Sequence, residues 1–484
     1  MTSISVDNSN APTETTENLP LANNLKIGLF HLGSGMADVL TTGVWNRIMV
    51  TDLGFAATPI SLLVALRYFL APLGVLIGRI SDERRVLGFR RMFWIGLGRA
   101  LMVASTFILG FATAEIANLP TRGVATTFEW IMLIVSFLMF SVGSAVSGTT
   151  FLSLVYDRSP EHQRGRSVGV VWTFLLVGYT VAGILFSILL PSREKEGVLS
   201  AEVPYSPQTL LTLFLVAGFI FGLVWFLAMW GEEKRQISPS STPAKPIGSI
   251  LSEVGAMWGN IGKDLSLVWQ NHSMRFFFFY LSLSMFFAFS QDLILEPFAG
   301  DVFDMPARVT NRFSAYWGST AIIGTIFFIW YSRKNKKYTN TVLSQLGVGV
   351  LVATFALLAL SSFANIRQLV TPGLILLGVG LGMWNVGTLG LMMDLSPLGK
   401  AGTFLGFWTL TVTFSRGFGT SFGGIGRDVM LGISNSLPVS YGVVFGIGAV
   451  GLLVGMVCLA RVNVRRYKSE TNPDAAALLT TAMD

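Results

Sequence analysis

Several ionisable and amide side chains stand inside stretches that are otherwise nearly all carbon. The segment QDLILEPFAGDVF (291–303) sets Gln291, Asp292 and Glu296 directly after MRFFFFYLSLSMFFAFS, and Pro297 follows. Asp38 and His31 lie in an earlier apolar run that closes on Asn46-Arg47, while Arg67, Arg99 and Arg416 lie within three others. An ionised group in hydrocarbon costs roughly 2.5–3.5 kcal/mol at the middle of a spanning helix, so each needs a reason to be there. Asp38, Asp292 and Glu296 have the chemistry to carry a proton. Gln291, Asn46 and Glu296 have oxygens for a hard cation. The structural alternatives stay open beside these. Asp38, Arg67, Arg99 and Arg416 can pair to hold helices together, Arg47 can snorkel to the membrane surface, and His31 can be a hydrogen-bonded packing residue. Asp301 and Asp304 are expected in an exposed connection, where solvation explains them.

The elements that must position these groups are membrane helices. Of 484 residues, 52% are hydrophobic and only 13% charged, against roughly 25% charged in an average soluble domain. About 20 residues of helix cross a bilayer. Runs of that length are read at 25–50, 58–79, 92–115, 128–155, 168–190, 209–230, 274–298, 312–332, 341–363, 370–393, 402–425 and 440–460. The prediction is therefore an all-α membrane protein of twelve spans. Residues 1–24 are polar, with acids but no Lys or Arg, and read as a disordered tail without the basic start of a signal peptide. The lone cysteine, Cys458, excludes an internal disulfide, and three histidines are too few for a His-rich metal site.

The net charge of +7 is a matter of topology and not of nucleic-acid binding. Basic clusters follow even-numbered spans: RISDERRVLGFRR (79–91), YDRSPEHQRGR (156–166), EEKR (232–235) and SRKNKK (332–337). Arg122, Arg193, Lys195, Arg308, Arg312, Arg367 and Arg427 are the sparser set assigned to odd connections. The positive-inside rule puts both termini and the even connections in the cytoplasm. No phosphate loop, His/Cys cluster or nucleophile–base pair is present, and Gly-x-Gly runs such as GVGLG fall inside spans, so an enzyme is not expected.

The halves repeat. Asp157-Arg158-Ser159-Pro160 and Asp394-Leu395-Ser396-Pro397 both open a D-x-S-P-x4-G-x3-G pattern between the fourth and fifth spans of their half. Six-plus-six duplication is the architecture of the major facilitator superfamily. Gly78-x-x-x-Asp82 with Arg84 and Arg85 resembles the cytoplasmic gate motif of that superfamily, interrupted by Glu83; Asp157, Arg158 and Asp394 stand at equivalent depths. The expected divisions are a cytoplasmic tail (1–24), a first half (25–230), a cytoplasmic linker (231–273), a second half (274–461) and a final tail (462–484). In the linker, Ile250, Val254, Met257, Ile261, Leu265 and Val268 mark an amphipathic helix, either lying on the membrane surface or packed on the bundle.

Four separated segments carry a more specific resemblance. QDLILEPFAGDVFDM (291–305), LKIGLFHLGSGM…TGVWNRIMVTDLG (25–54), LVYDRSPEHQRGRSVGVVWTFLLVG (154–178) and MMDLSPLGKAGTFLGFWTLTVTFSRGFG (392–419) resemble, in order, segments of the PucC/LhaA family. This is the bacteriochlorophyll-delivery (BCD) branch of the major facilitator superfamily. The resemblance implies an assembly factor that delivers bacteriochlorophyll or chlorophyll to light-harvesting or photosystem polypeptides. Its partners would be membrane lipids, the pigment, those polypeptides and pigment-synthesis enzymes. It implies no obligatory cofactor beyond the pigment carried, and residence in an inner, intracytoplasmic or thylakoid membrane. In that setting the sharper reading of His31 is axial ligation of a chlorin magnesium. The polar tail, the long linker and the Phe-rich seventh span depart from the purple-bacterial pattern. A proton-coupled transporter of a small solute, working through Asp38, Asp292 or Glu296, is the alternative.

Overall fold

A computed structural model describes residues 20–471, apart from 161–162, 191–193, 196–197, 200–204, 234, 335–337, 397–400 and most of 236–270. The amphipathic pattern at 250–268 thus lies outside the described residues. The chain is helical nearly throughout. The first half comprises α1 (Leu21–Val39), α2 (Ala57–Leu70), α3 (Pro72–Glu83), α4 (Met92–Ala117), α5 (Thr127–Arg158), α6 (Arg164–Leu189) and α7 (Pro207–Met229). The second comprises α8 (His272–Ala288), α9 (Leu295–Phe303), α10 (Ala307–Thr310), α11 (Phe313–Lys334), α12 (Asn340–Phe363), α13 (Val370–Asp394), α14 (Ala401–Ser434), α15 (Leu437–Ala460) and a terminal α16 (Val464–Thr471). Glu194–Lys195 and Val198–Leu199 pair as a two-residue antiparallel ribbon between α6 and α7. Among the described residues, nine helical spans are long and apolar enough to cross a membrane. Helices also occupy predicted spans one, seven and eleven; the first two are the richest in the polar groups singled out above.

Local chemistry sets the ends of these helices. Thr126 and Glu129 form a reciprocal capping box at the start of α5, which satisfies two orphan N–H groups at once. Ser206 and Asn271 accept from Thr209 N and Met274 N to start α7 and α8. The buried apolar side chains gather in two clusters. One is built from residues 27–229 and takes in Leu293 and Ala307; the other runs from Met274 to Tyr467. Small residues set how closely helices cross. A Cβ on Gly35 of α1 would lie 3.2 Å from Gly178 Cα of α6, so these backbones touch, as membrane helices do through small residues.

Two predicted spans change shape. The first does not stay α-helical: after Val39 it continues through π-helical turns at Leu40–Trp45 and Ile48–Asp52. Such turns break the regular ladder and gather at functional positions. The seventh was expected to run to 298 and stop at Glu296-Pro297. Instead α8 ends at Ala288, residues 289–294 form turns, and Glu296 and Pro297 sit in the first turn of α9. Pro297 is tolerated there because its missing N–H would have had no helical partner.

Candidate functional site

The break at 289–294 brings Gln291 and Asp292 to the middle of the molecule, where the halves meet. In the first half, Arg67 of α2 forms an ion pair with Asp38 of α1. The Tyr179 hydroxyl of α6 donates to the other Asp38 oxygen at 3.1 Å, and Arg67 Nη2 donates to the Tyr68 hydroxyl at 2.7 Å. In the second half, Arg416 of α14 pairs with Asp292 at 3.1 Å, and Gln291 Nε2 donates to Asp292 at 2.8 Å. The two pairs are neighbours across the interface. The Arg416 guanidinium lies 4.2 Å over the Phe289 ring and 5.1 Å from the ring of Tyr68 in the opposite half. Tyr179 meets Trp317 of α11 at 5.3 Å. The Asp38 and Arg416 side chains keep 26% and 25% of their surface open, so this layer borders a crevice. Its charges cancel pairwise and its walls are aromatic.

Further along, at the end opposite the termini, a set of hydrogen bonds joins the halves. Asn46 Nδ2 donates to Leu293 O at 2.8 Å and Arg47 Nη2 to Met305 O at 2.8 Å. Arg312 Nε donates to the Ser187 hydroxyl at 2.9 Å. Asp428 of α14 accepts from Ala57 N at 3.1 Å and Thr58 N at 2.7 Å, capping α2 from the other half. Arg47 does not snorkel. It is fully buried, pairs with Asp52 at 3.3 Å, and fills space that only a glycine leaves, since a Cβ on Gly300 would lie 2.6 Å from Arg47 Nε. Asp301 is not a solvated loop residue either. It is buried against Arg427 at 2.8 Å and accepts from the Tyr441 hydroxyl at 2.6 Å. Arg427 lies within α14, not in a connection, because that helix runs nine residues past its expected end at 425. Asp304 is exposed, as expected. Glu296 is 5% exposed, and its Oε1 would stand 3.4 Å from a Cβ on Gly43, facing the first π-helical turn. Among the described residues no ion pair involves Glu296.

At the terminus-bearing end, the gate-like residues organise around a group the motif reading did not single out. Arg91 bonds Asp82, Asp157 at 3.2 Å and the Ser81 hydroxyl at 2.6 Å. Glu233 accepts from the backbone N–H groups of Arg90, Arg91 and Met92, so the start of the linker caps α4. Arg158 pairs with Glu232 at 3.5 Å. A cavity of about 720 Å³ opens here, with Arg85, Arg90 and Arg158 in its wall. Gly78 packs 3.0 Å (by a notional Cβ) from Thr149, and Asp394 accepts from Asn340 Nδ2 at 2.8 Å in the second half. Arg84 also makes polar interactions.

His31 and Arg99 stand apart from these networks. His31 packs against Phe30, Phe151 and Trp172, and its Nδ1 is buried without a hydrogen-bond partner. Arg99, for which helix-holding pairing was one open alternative, lies 3.7 Å over Phe30 and 4.5 Å over Trp225, with Met102 Sδ as its hydrogen-bond acceptor. The sequence pattern does place His31 in register with Asp38 and Trp172 in register with Tyr179. Each pair is seven residues apart, two turns along one helix face.

The relationships of the chain agree with this arrangement. A family model described as PUCC protein matches residues 44–467. The Protein PucC of Rhodovulum sulfidophilum is 27% identical over 420 residues, covering 86% of this chain and 87% of that protein. A Rhodobacter capsulatus protein named "Bacteriochlorophyll synthase 44.5 kDa chain" is 27% identical over 449 residues, covering 91% and 95%. Among solved structures, a bacterial homologue of the human lysosomal transporter Spinster, inward-facing and occupied, superposes with a TM-score of 0.65 at 13% identity, covering 91% of this chain and 96% of that one. That likeness shows the fold, which is the major facilitator fold. The chain is a member of the PucC family.

Proposed function

We propose that this protein is a non-enzymatic carrier of chlorophyll or bacteriochlorophyll that serves the assembly of light-harvesting or photosystem complexes. The observation that carries this reading is the central layer, where two internally neutralised ion pairs sit between Tyr68, Tyr179, Phe289 and Trp317. Such walls suit a planar, largely apolar molecule with a few polar atoms better than a small hydrated solute. The names of the relatives, PucC and a bacteriochlorophyll synthase chain, support the same cargo. By the positive-inside rule, the termini and basic connections face the cytoplasm. The 231–273 connection then lies on that side, available to antenna polypeptides or pigment-synthesis enzymes. The test is to purify the protein from a pigment-making host and record its absorption spectrum. Co-purifying chlorin supports the reading. No chlorin at any stoichiometry, together with normal complex assembly in a deletion strain, overturns it.

Glu296 favours a second reading. A buried carboxyl with no ion-pair partner among the described residues, set against a π-helical turn, is the form a proton-coupling group would take. Proton-coupled solute uptake in proteoliposomes that Glu296→Gln abolishes would establish it.

A further inference from the structure

We propose that His31 and Arg99 form the docking site of the pigment, with His31 as axial ligand of a magnesium tetrapyrrole and Arg99 as donor to a carbonyl or carboxyl on its edge. The inference rests on the carrier reading and assigns the atoms that do the holding.

Both groups are buried, 8% exposed for His31 and 7% for Arg99. Neither has the partner its chemistry calls for. His31 Nδ1 and Arg99 Nε lack any hydrogen-bond partner, and among the described residues no carboxylate pairs with Arg99. Buried polar groups are nearly always satisfied, and a buried charge is paired or costs far more than a neutral group. The chain itself supplies Arg99 with two ring faces and a thioether. The Trp225 indole N–H is already committed to Phe30 O at 3.2 Å. Arg99 Nε and His31 Nδ1 are thus left open to polar atoms of a bound molecule.

The surroundings name the kind of molecule. Phe30 and Phe151 stack at 3.7 Å between centroids with an 11° tilt. Arg99 caps Phe30, and His31 packs beside Phe151 at 5.1 Å. Trp172 stands edge-on to His31 at 5.7 Å and is 51% exposed, so the cluster reaches the surface of the first half through this ring. Aromatic walls hold a flat macrocycle, an imidazole lone pair is the commonest protein ligand for a metal, and a guanidinium recognises carbonyl or carboxyl oxygen. A chlorin with four equatorial nitrogens on magnesium takes one more ligand, axially. His31 is also two helical turns, about 10 Å, from Asp38, so a macrocycle held here reaches toward the central layer.

The experiment is a titration of the purified full-length protein, in detergent, with chlorophyllide a and with its magnesium-free counterpart pheophorbide a. Wild type is expected to prefer the magnesium form by about tenfold or more. His31→Phe, which keeps a ring in the cluster, is expected to erase that preference while leaving pheophorbide affinity within twofold. Arg99→Met is expected to weaken both ligands by about tenfold, with the magnesium preference retained. Melting curves confirm that each variant is folded. An undiminished preference in folded His31→Phe overturns the inference, as does equal affinity of wild type for the two forms; the carrier reading survives either. Failure of wild type to bind any chlorin sinks the carrier reading itself.

Discussion

The cap that Asp428 places on α2 is a bond between halves whose strength can be read directly. Its carboxylate accepts from two backbone N–H groups, Ala57 at 3.1 Å and Thr58 at 2.7 Å. Deleting a helix cap costs about 1 kcal/mol. Removing a negative charge from a helix N-terminus adds up to about 1 kcal/mol at a partly buried site, and the Asp428 side chain is 18% exposed. Arg427 loses little, because Asp301 and Tyr441 still hold it. Asp428→Ala should therefore weaken the tie by about 2 kcal/mol, a roughly 30-fold change in the opening equilibrium. Asp428→Asn keeps one acceptor but loses the charge and one of the two hydrogen bonds, so its change should be smaller than that of Ala, roughly tenfold. Hydrogen exchange of the amides at 57 and 58, followed by mass spectrometry, reads this equilibrium. Exchange that speeds up in the order Asn then Ala supports the geometry. Unchanged exchange in both variants would show that the halves are not joined through this carboxylate.

Two further outcomes follow from packing. Asp301→Asn removes one of the two carboxylates that hold Arg427, so thermal unfolding in detergent should show a loss of about 2 kcal/mol, whereas a solvated loop residue would show nothing. Gly35→Ala forces α1 from α6 and should destabilise by about 1–3 kcal/mol, while Gly96→Ala, which meets nothing within 4 Å, should be neutral or slightly stabilising in the same assay.

Much of the architecture can be read from the residues because membrane spans announce themselves by composition and length. The pairing of Asp38 with Arg67 was among the alternatives that the isolated charges left open, whereas the carboxylate that holds Arg416 proves to be Asp292, which had not been read as a pairing group. What escaped notice depends on distance in space. Tyr68, Tyr179 and Phe289 look like ordinary apolar-run aromatics until the crevice puts them beside charges. Arg91 was one of five arginines in a basic cluster, and only the fold shows it bridging Asp82 and Asp157. Asp301 and Arg427 were misplaced because hydropathy ends a span where charges begin, yet α14 continues as a helix once those charges and Asp428 satisfy one another. The Arg427-Asp428 doublet was the available signal.

The ties between halves gather at one end of long, stiff helices, and that gives the bundle a lever. α5 is 32 residues long, about 48 Å at 1.5 Å per residue. A tilt of about 10° pivoting on the tied end would swing the far end of such a helix by about 8 Å while the pivot moved by less than a bond length. On the carrier reading, loading and release then use the same mouth, with the aperture set by a small rotation and no bond at the pivot broken. Substitutions near the pivot would act on the angle, and those near His31 on the grip.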